Sequence, residues 1–178
     1  MIFIENKRKS LRTLSEKYPH AEIIDLTSKG QEPFVRFSPF YPHGNIPVPF
    51  SESIFSYSVE GIWQGLKVFE GQDVDASKFE VQNMKNLKRT VRKFGKPLGH
   101  RQGVRGTILL NYLDARKQIY LPVYNWVLEN KMNDALAQLR QMALQKDLVF
   151  LDYETNGDVE NTAKPLSHAA LVRQALEK

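Results

Sequence analysis

The sequence predicts an α+β fold, predominantly helical with a few short strands, and three observations carry that expectation. Apolar residues recur at helical spacing in several segments, as in Val59, Ile62, Trp63, Leu66 and Phe69. Two short β-rich runs, AEIIDL (Ala21–Leu26) and LVFL (Leu148–Leu151), are bounded by turn residues. The 178 residues, 42% apolar and 25% charged, suit one globular domain spanning 1–178.

Each element has a local cause. Ser10 can cap a short helix that places Leu11, Leu14 and Tyr18 on one side, and Pro19 ends it. Between Glu32 and Phe50 stand Pro33, Pro39, Pro42, Pro47 and Pro49, a density that excludes helix. Phe34, Phe37, Phe40 and Tyr41 lie among them and imply an ordered loop packed on the core. Ser58 is placed to cap the Val59–Phe69 helix, in which Gly61 and Gly65 allow a close approach by backbone or ligand. A second helix is expected from about Ala76 to Phe94, with Met84, Leu87, Val91 and Phe94 inward and Gly95 ending it. The glycine-rich GKPLGHRQGVRG (Gly95–Gly106) reads as a loop. Helix resumes near Asn111, with a kink or fresh start at Pro122. A further helix covers roughly Asp134–Leu144, and a last one Ser167–Leu176.

Composition excludes several chemistries. There is no cysteine, hence no disulfide framework, thiolate nucleophile or Cys-ligated metal. The four histidines, at 20, 43, 100 and 168, are too far apart for a helical metal pair, so no metal and no cofactor is expected. The opening MIFIENKRKS is too short in its apolar run for a signal peptide, and no segment nears the ~20 apolar residues of a membrane span. No membrane partner and a cytoplasmic location are expected. The net charge of +5 is uneven: Lys78–Lys117 holds eleven Lys/Arg against Glu80 and Asp114, whereas Asp147–Glu160 holds five acids and no base. The basic middle suggests an anionic partner, a phosphate ester or nucleic acid, although a solvated helix face would look the same.

Four groups can carry chemistry. Glu60, Gln64 and Lys67 share one flank of the Val59–Phe69 helix, beside Trp63. There Glu60 can serve as general base or stabilise a cation, and Lys67 can bind phosphate or protonate a leaving group. A first-turn carboxylate is also ordinary helix-dipole chemistry. The Gly95–Gly106 loop offers backbone N–H groups with His100, Arg101 and Arg105 for phosphate. Asp152, Glu154, Asn156 and Asp158 can order a water or a ribose, or simply form a turn. Arg116 with Tyr120, Tyr124 and Trp126 can stack on a base, or belong to the core.

In order along the chain, FVRFSPFYPHGNIPV, SVEGIWQGLKVF, a basic segment with GHR, ARKQIYLPVYNW and KDLVFLDYETN together resemble the NADAR (YbiA-like) superfamily. Ser38, Phe40, Tyr41, Pro42 and His43 match its "SNFyPh" loop. Val59, Glu60, Gln64 and Lys67 match its "VEhyyQaxK" helix with unchanged spacing. Gly99 and Arg101 match a "GR" step, and Leu148–Asp152 a late strand. The departures are Gly61, where that family often has His, and DVENTAKPLSHA, where it has D-x-x-W-G.

The resemblance implies a ligand of the ADP-ribose type and cleavage of an N-glycosidic bond, with an ADP-ribose-containing small molecule or ADP-ribosylated nucleic acid as partner. Glu60 would stabilise the ribosyl cation or act as base. Asp152 or Glu154 would take the family's late acidic role, Asp152 positioning water or ribose. Lys67 and Arg101 would hold pyrophosphate, and Trp63 would stack on a ring. Ser38, Phe40, His43, Gln64, His100, Arg116, Tyr120 and Asn156 would line the ligand. Two other functions fit the sequence: a non-catalytic sponge for an ADP-ribose-derived signal, of the kind phages use against defence systems, and a nucleic-acid binder using the Lys85–Arg105 face.

Overall fold

The computed structural model describes residues 1–178. In chain order the elements are β1 (Ile2–Asn6), α1 (Leu11–Lys17), β2 (Glu22–Asp25), a 3₁₀ turn (Phe34–Phe37), β3 (Ile46–Pro47), β4 (Phe55–Ser56), α2 (Val59–Gly65), β5 (Lys67–Val68), a 3₁₀ turn (Ala76–Lys78) and α3 (Val91–Phe94). Then follow β6 (Gly99–Arg101), β7 (Leu109–Leu110), α4 (Tyr112–Ala115), a π-helical turn (Arg116–Tyr120), α5 (Leu121–Lys131), α6 (Asn133–Gln145), β8 (Leu148–Asp152) and α7 (His168–Glu177). The α+β class is thus as expected. No helix is long and apolar enough to cross a membrane.

The chain divides into two compact units, one of Met1–Ser38 with Leu128–Lys178, the other of Pro39–Val127. The first is built on a parallel sheet ordered β1-β8-β2. Its central strand β8 pairs on both sides, Ile2 with Leu148 through Asn6 with Asp152, and Glu22 with Leu148 through Asp25 with Leu151. A strand paired at both edges and covered on both faces favours a continuous apolar run, here Leu148–Leu151, and every residue of β8 is buried, Asp152 at its end included. Leu14 of α1 packs on Val149 and Leu151, with Phe3, Tyr18, Ala21 and Ile23 around them. Ser10 caps α1 as expected, accepting the Thr13 N–H at 3.1 Å. The strand β1 was not foreseen: its short IFIE run has no local partner, and its ladder lies far away in sequence. Within β1, Glu5 is buried. Burial by itself would raise its carboxyl, but hydrogen bonds from Lys17, Lys9 and Tyr18 bring it down to about 2.

The second unit holds the β3–β4 hairpin and an antiparallel sheet ordered β5-β6-β7. Ser58 caps α2 by accepting from the Gly61 N–H at 3.0 Å. The helix does not continue to Phe69 as its apolar stripe suggested. It stops at Gly65, because Lys67 and Val68 pair with His100 and Gly99 of β6. The carbonyls left open at its C-terminus are taken by the Asp75 N–H, on Gly65, and by the Arg89 guanidinium, on Gln64 and Lys67.

The expected Ala76–Phe94 helix is also overturned; only the short turns at Ala76–Lys78 and Val91–Phe94 are helical. Lys85, Lys88, Arg89, Arg92 and Lys93 recur at one-turn spacing, with no acid between them to offset their repulsion. Asn83 accepts the Lys85 N–H in a local turn, and Asn86 sits at φ +60°. Leu87 is buried as expected, but Arg89 is buried and Val91 is 62% exposed, the reverse of the expected facing for those two. The proline-rich stretch is not wholly without helix either, since Phe34–Phe37 make one 3₁₀ turn. The Gly95–Gly106 segment contains β6 rather than being all loop. No fresh helix start occurs at Pro122, since helix runs unbroken from Tyr112 to Lys131; the irregularity there is the π-helical turn just before it, where the ladder is loosened ahead of a residue with no N–H to donate.

Candidate active site

The Glu60 helix brings together the residues that the sequence singled out. Glu60 is buried in the first turn of α2, and its backbone N–H donates to the Pro39 carbonyl at 2.8 Å. One turn on, the Gln64 amide nitrogen donates to Glu60 Oε1 at 2.6 Å. The Gln64 oxygen in turn accepts from Lys67 Nζ at 3.1 Å and from the Arg89 N–H at 2.9 Å. With both acceptor directions of its oxygen used, the Gln64 side chain is fixed in one orientation. It occupies Oε1 of Glu60 and leaves Oε2 without a hydrogen bond. Lys67 has left the helix for β5, yet its ammonium still reaches this chain.

Electrostatics push the acid and the amine toward neutrality. Burial raises the Glu60 carboxyl above its ordinary range, and Gln64, Lys67 and Lys88 only partly oppose this. Burial also lowers Lys67, against the pull of Glu60, and the neighbouring cations Lys88 and Arg89 lower it further. Two cations, Lys67 and Lys88, thus act on the Glu60 carboxylate, an excess that suits an anionic ligand, while Arg89 acts on Lys67 and is offset by Asp73 and Asp75. Perturbed acid and base groups in one cluster are characteristic of reactive sites.

An aromatic group adjoins the cluster. Trp63, half-buried on α2, lies over the His100 ring with centroids 3.8 Å apart, and meets Tyr112 and Tyr120 edge-on at 5.9 and 5.7 Å. His100 is only 2% exposed, and neither ring nitrogen has a hydrogen-bond partner. Burial, helped by the Lys67 charge, lowers its pKa to about 3, so the ring is neutral near pH 7. Each unsatisfied buried polar group costs about 1–3 kcal/mol. Arg116, buried in the π-helical turn, lies over the Tyr112 ring and donates to its hydroxyl at 3.1 Å. Tyr120 stacks on Tyr124. In the preceding loop, Phe40 carries the Lys88 ammonium over its ring and His43 packs on Tyr41. Arg101 makes a two-pronged contact to Asp73 and donates to the Thr107 carbonyl, so its guanidinium is committed within the fold.

The remaining ligand and catalytic candidates belong to the first unit, where they make structural contacts. Ser38, buried, closes the Phe34–Phe37 turn through its backbone N–H. Asp152 accepts from Ser167 Oγ and the Ala169 N–H at the start of α7, from the Tyr153 N–H, and from His168 Nδ1 at 3.0 Å. The far nitrogen of His168 lies 2.9 Å from the Leu26 carbonyl. Burial alone would raise Asp152 and lower His168; their mutual attraction reverses both, giving a buried imidazolium–carboxylate pair. Asn156 donates to the Asn161 and Lys164 carbonyls and accepts from the Asp158 N–H, which organises the acidic loop. The sequence reading missed Arg89 and Lys88, whose burial and placement depend on where the non-helical 79–90 segment runs. It also missed His168 as partner of Asp152, for which the Ser167 cap beside it was the available signal.

The chain is an α+β protein with a buried carboxylate–amide–amine chain beside an aromatic cluster. It belongs to the DUF6939 family, a family of unknown function, whose model matches residues 6–172. No curated protein and no solved structure matches it.

Proposed function

We propose that the protein is an N-glycosidase that hydrolyses an ADP-ribose-type N-glycosidic bond, with Glu60 as the reacting carboxylate. The observation that carries this reading is Glu60 itself: buried, raised in pKa, held on Oε1 by Gln64 and left open on Oε2. Cleavage of a ribosyl–base bond builds positive charge on the sugar, which a nearby carboxylate stabilises. The C1′–N bond breaks with its electron pair going to the base. Water adds its oxygen to C1′ and gives a proton to Glu60, and the Lys67 ammonium supplies one to the departing base. Lys67 and Lys88 supply positive charge for the pyrophosphate, and Trp63 offers a ring to stack on. The likeness of SVEGIWQGLK to the NADAR helix supports the same reading, which extends to a NADAR-type fold. In this reading Asp152 anchors α7, and the reaction rests on Glu60.

A second observation favours a nucleic acid as carrier of the ADP-ribose. Lys85, Lys88, Arg92, Lys93, Lys96 and Arg105 are exposed and none has a carboxylate at ion-pair distance. Lys88, the nearest to Glu60, ties this basic surface to the site.

The test is a panel of NAD, ADP-ribose, ADP-ribosylated guanosine and ADP-ribosylated DNA, with products read by mass spectrometry. Wild type should release a free base or free ADP-ribose, and Glu60→Gln should not. Ligand bound and recovered intact would make the protein a sponge, and absence of both binding and turnover would overturn the substrate class. For the DNA substrate, affinity should fall steeply as salt rises.

A further inference from the structure

His100 is in an unusual position for a histidine. It sits on the central strand of the β5-β6-β7 sheet, opposite Lys67 on one side and Leu110 on the other. Its ring is almost wholly buried; the Trp63 backbone is the one polar group of the fold that acts on it by hydrogen bonding, and neither nitrogen completes a well-formed hydrogen bond. A phenylalanine there would keep the packing on Trp63 without leaving polar atoms unpaired. The Trp63 backbone accounts for one ring nitrogen at most, and folding gives no reason for the other. Nor does charge, because burial and the Lys67 ammonium keep the ring neutral. A neutral imidazole has one N–H donor and one bare nitrogen, which suits hydrogen bonding to an uncharged partner. What covers this ring is Trp63, itself half-buried and held by edge contacts with Tyr112 and Tyr120. An indole can exchange an imidazole for another flat ring at small cost, because stacking is tolerant of ring identity.

We propose that His100 selects the leaving group: when a planar heterocyclic base stacks against Trp63, an unbonded ring nitrogen of His100 hydrogen-bonds the edge of that base. This rests on the N-glycosidase reading and deepens it. The arrangement selects a flat, edge-polar ring, and discriminates against a flexible leaving group such as an amino-acid side chain. Sites that hydrogen-bond a polar edge reject ligands lacking it strongly, since the protein group is then left unpaired.

The experiment compares His100→Phe with the parent in a Glu60→Gln background that does not turn over. Binding of three probes, NAD, ADP-ribosylated guanosine and ADP-ribose, which keeps its adenine but carries no base on the second ribose, is followed by calorimetry. Trp63 emission is followed in parallel with Trp126→Phe present. The expected result is a loss of at least about tenfold in affinity for the two probes that carry a leaving base, unchanged affinity for ADP-ribose, and a melting temperature no lower than the parent's, because a buried unpaired nitrogen has gone. Trp63 emission should change with the probes that carry a leaving base and not with ADP-ribose. Equal affinities for all probes in both proteins would overturn the His100 assignment and leave the Glu60 reading standing. Failure of every probe to bind the parent would overturn both, and the wild-type turnover panel separates that case. A uniform loss across all three probes, with a lowered melting temperature, would mark His100 as a packing residue and likewise refute the assignment.

Discussion

Replacing Asp152 by Asn exchanges one carboxylate oxygen for an amide NH2 and removes one buried charge. In the native protein Asp152 Oδ2 lies 3.0 Å from His168 Nδ1, while His168 Nε2 lies 2.9 Å from the Leu26 carbonyl. The two side chains are 5% and 9% exposed, so solvent cannot compensate for a lost partner. Removing one member of such a buried pair costs about 3–5 kcal/mol while the other stays charged. The cost depends on pH in a calculable direction. The folded-state pKa of His168 is raised above 6.5, so its contribution is complete below that value and is lost as pH rises through the folded pKa. The folded-state pKa of Asp152 is depressed below 3.8, so its contribution is present above that value and disappears as pH falls through the folded pKa. The pair therefore contributes most between pH 3.8 and 6.5. In the Asn variant, His168 loses its main counter-charge while burial still opposes the imidazolium, so its pKa falls from the raised value, with only the Leu26 carbonyl and the Asp25 charge left to favour the charged form. The destabilisation should then be largest near pH 5–6 and shrink in alkaline solution. Urea unfolding followed by circular dichroism at pH 5.5 and 9 measures both. A loss under about 1 kcal/mol at pH 5.5, or a larger loss at pH 9, would refute the assignment of a buried ion pair. Asp152→Leu with His168→Leu should cost less than Asp152→Asn alone, because no unpaired charge remains.

Three other predictions follow from the second unit. Gly65→Ala would put a Cβ 2.3 Å from Phe79 Cε1, whose ring is 2% exposed and cannot swing into solvent, so unfolding free energy should fall by roughly 1–3 kcal/mol; an unchanged urea midpoint would show that Phe79 yields freely. Arg89→Met should cost at least about 2 kcal/mol in the same assay, because the Gln64, Lys67 and Asp73 carbonyls lose their charged donor. Turnover on the cleaved substrate should rise with pH through an apparent pKa above the ordinary glutamate value of 4.5, reflecting the raised Glu60 carboxyl; a rate flat from pH 4 to 7 would remove Glu60 as base.

Much of the molecule could be read from the chain because its causes are local. The Ser10, Ser58 and Ser167 caps, the β2 and β8 runs and the positive-φ Gly95 all depend on residues within a few positions of one another. The Glu60–Gln64–Lys67 grouping was legible as well, although Lys67 reaches it from a strand. Failures came where distant partners decide. The α2 stripe was cut short by a strand thirty residues on, and the 76–94 segment was remade by Phe79, Leu87 and Arg89 turning inward toward groups outside it. Gly61 illustrates the same limit. A Cβ there would stand 2.7 Å from the Lys78 carbonyl, which accounts for glycine where the resembled family often carries a bulky ring. No local pattern shows that carbonyl's approach.

The placement of β8 between β1 and β2 also bears on how the chain is made. Neither outer strand pairs with the other, and each finds its ladder only in Leu148–Asp152. On a ribosome, the apolar strands at the start of the chain emerge first and must wait for more than a hundred further residues before a mate exists. At ordinary elongation speeds that interval is on the order of ten seconds. During it Ile2, Phe3, Ile4, Ile23 and Ile24 form two unmated sticky segments, open to chaperones and to neighbouring nascent chains. Nascent chains halted before Leu148 should therefore be markedly more chaperone-bound than those released after Asp152, which ties the yield of this protein to synthesis rate as much as to final stability.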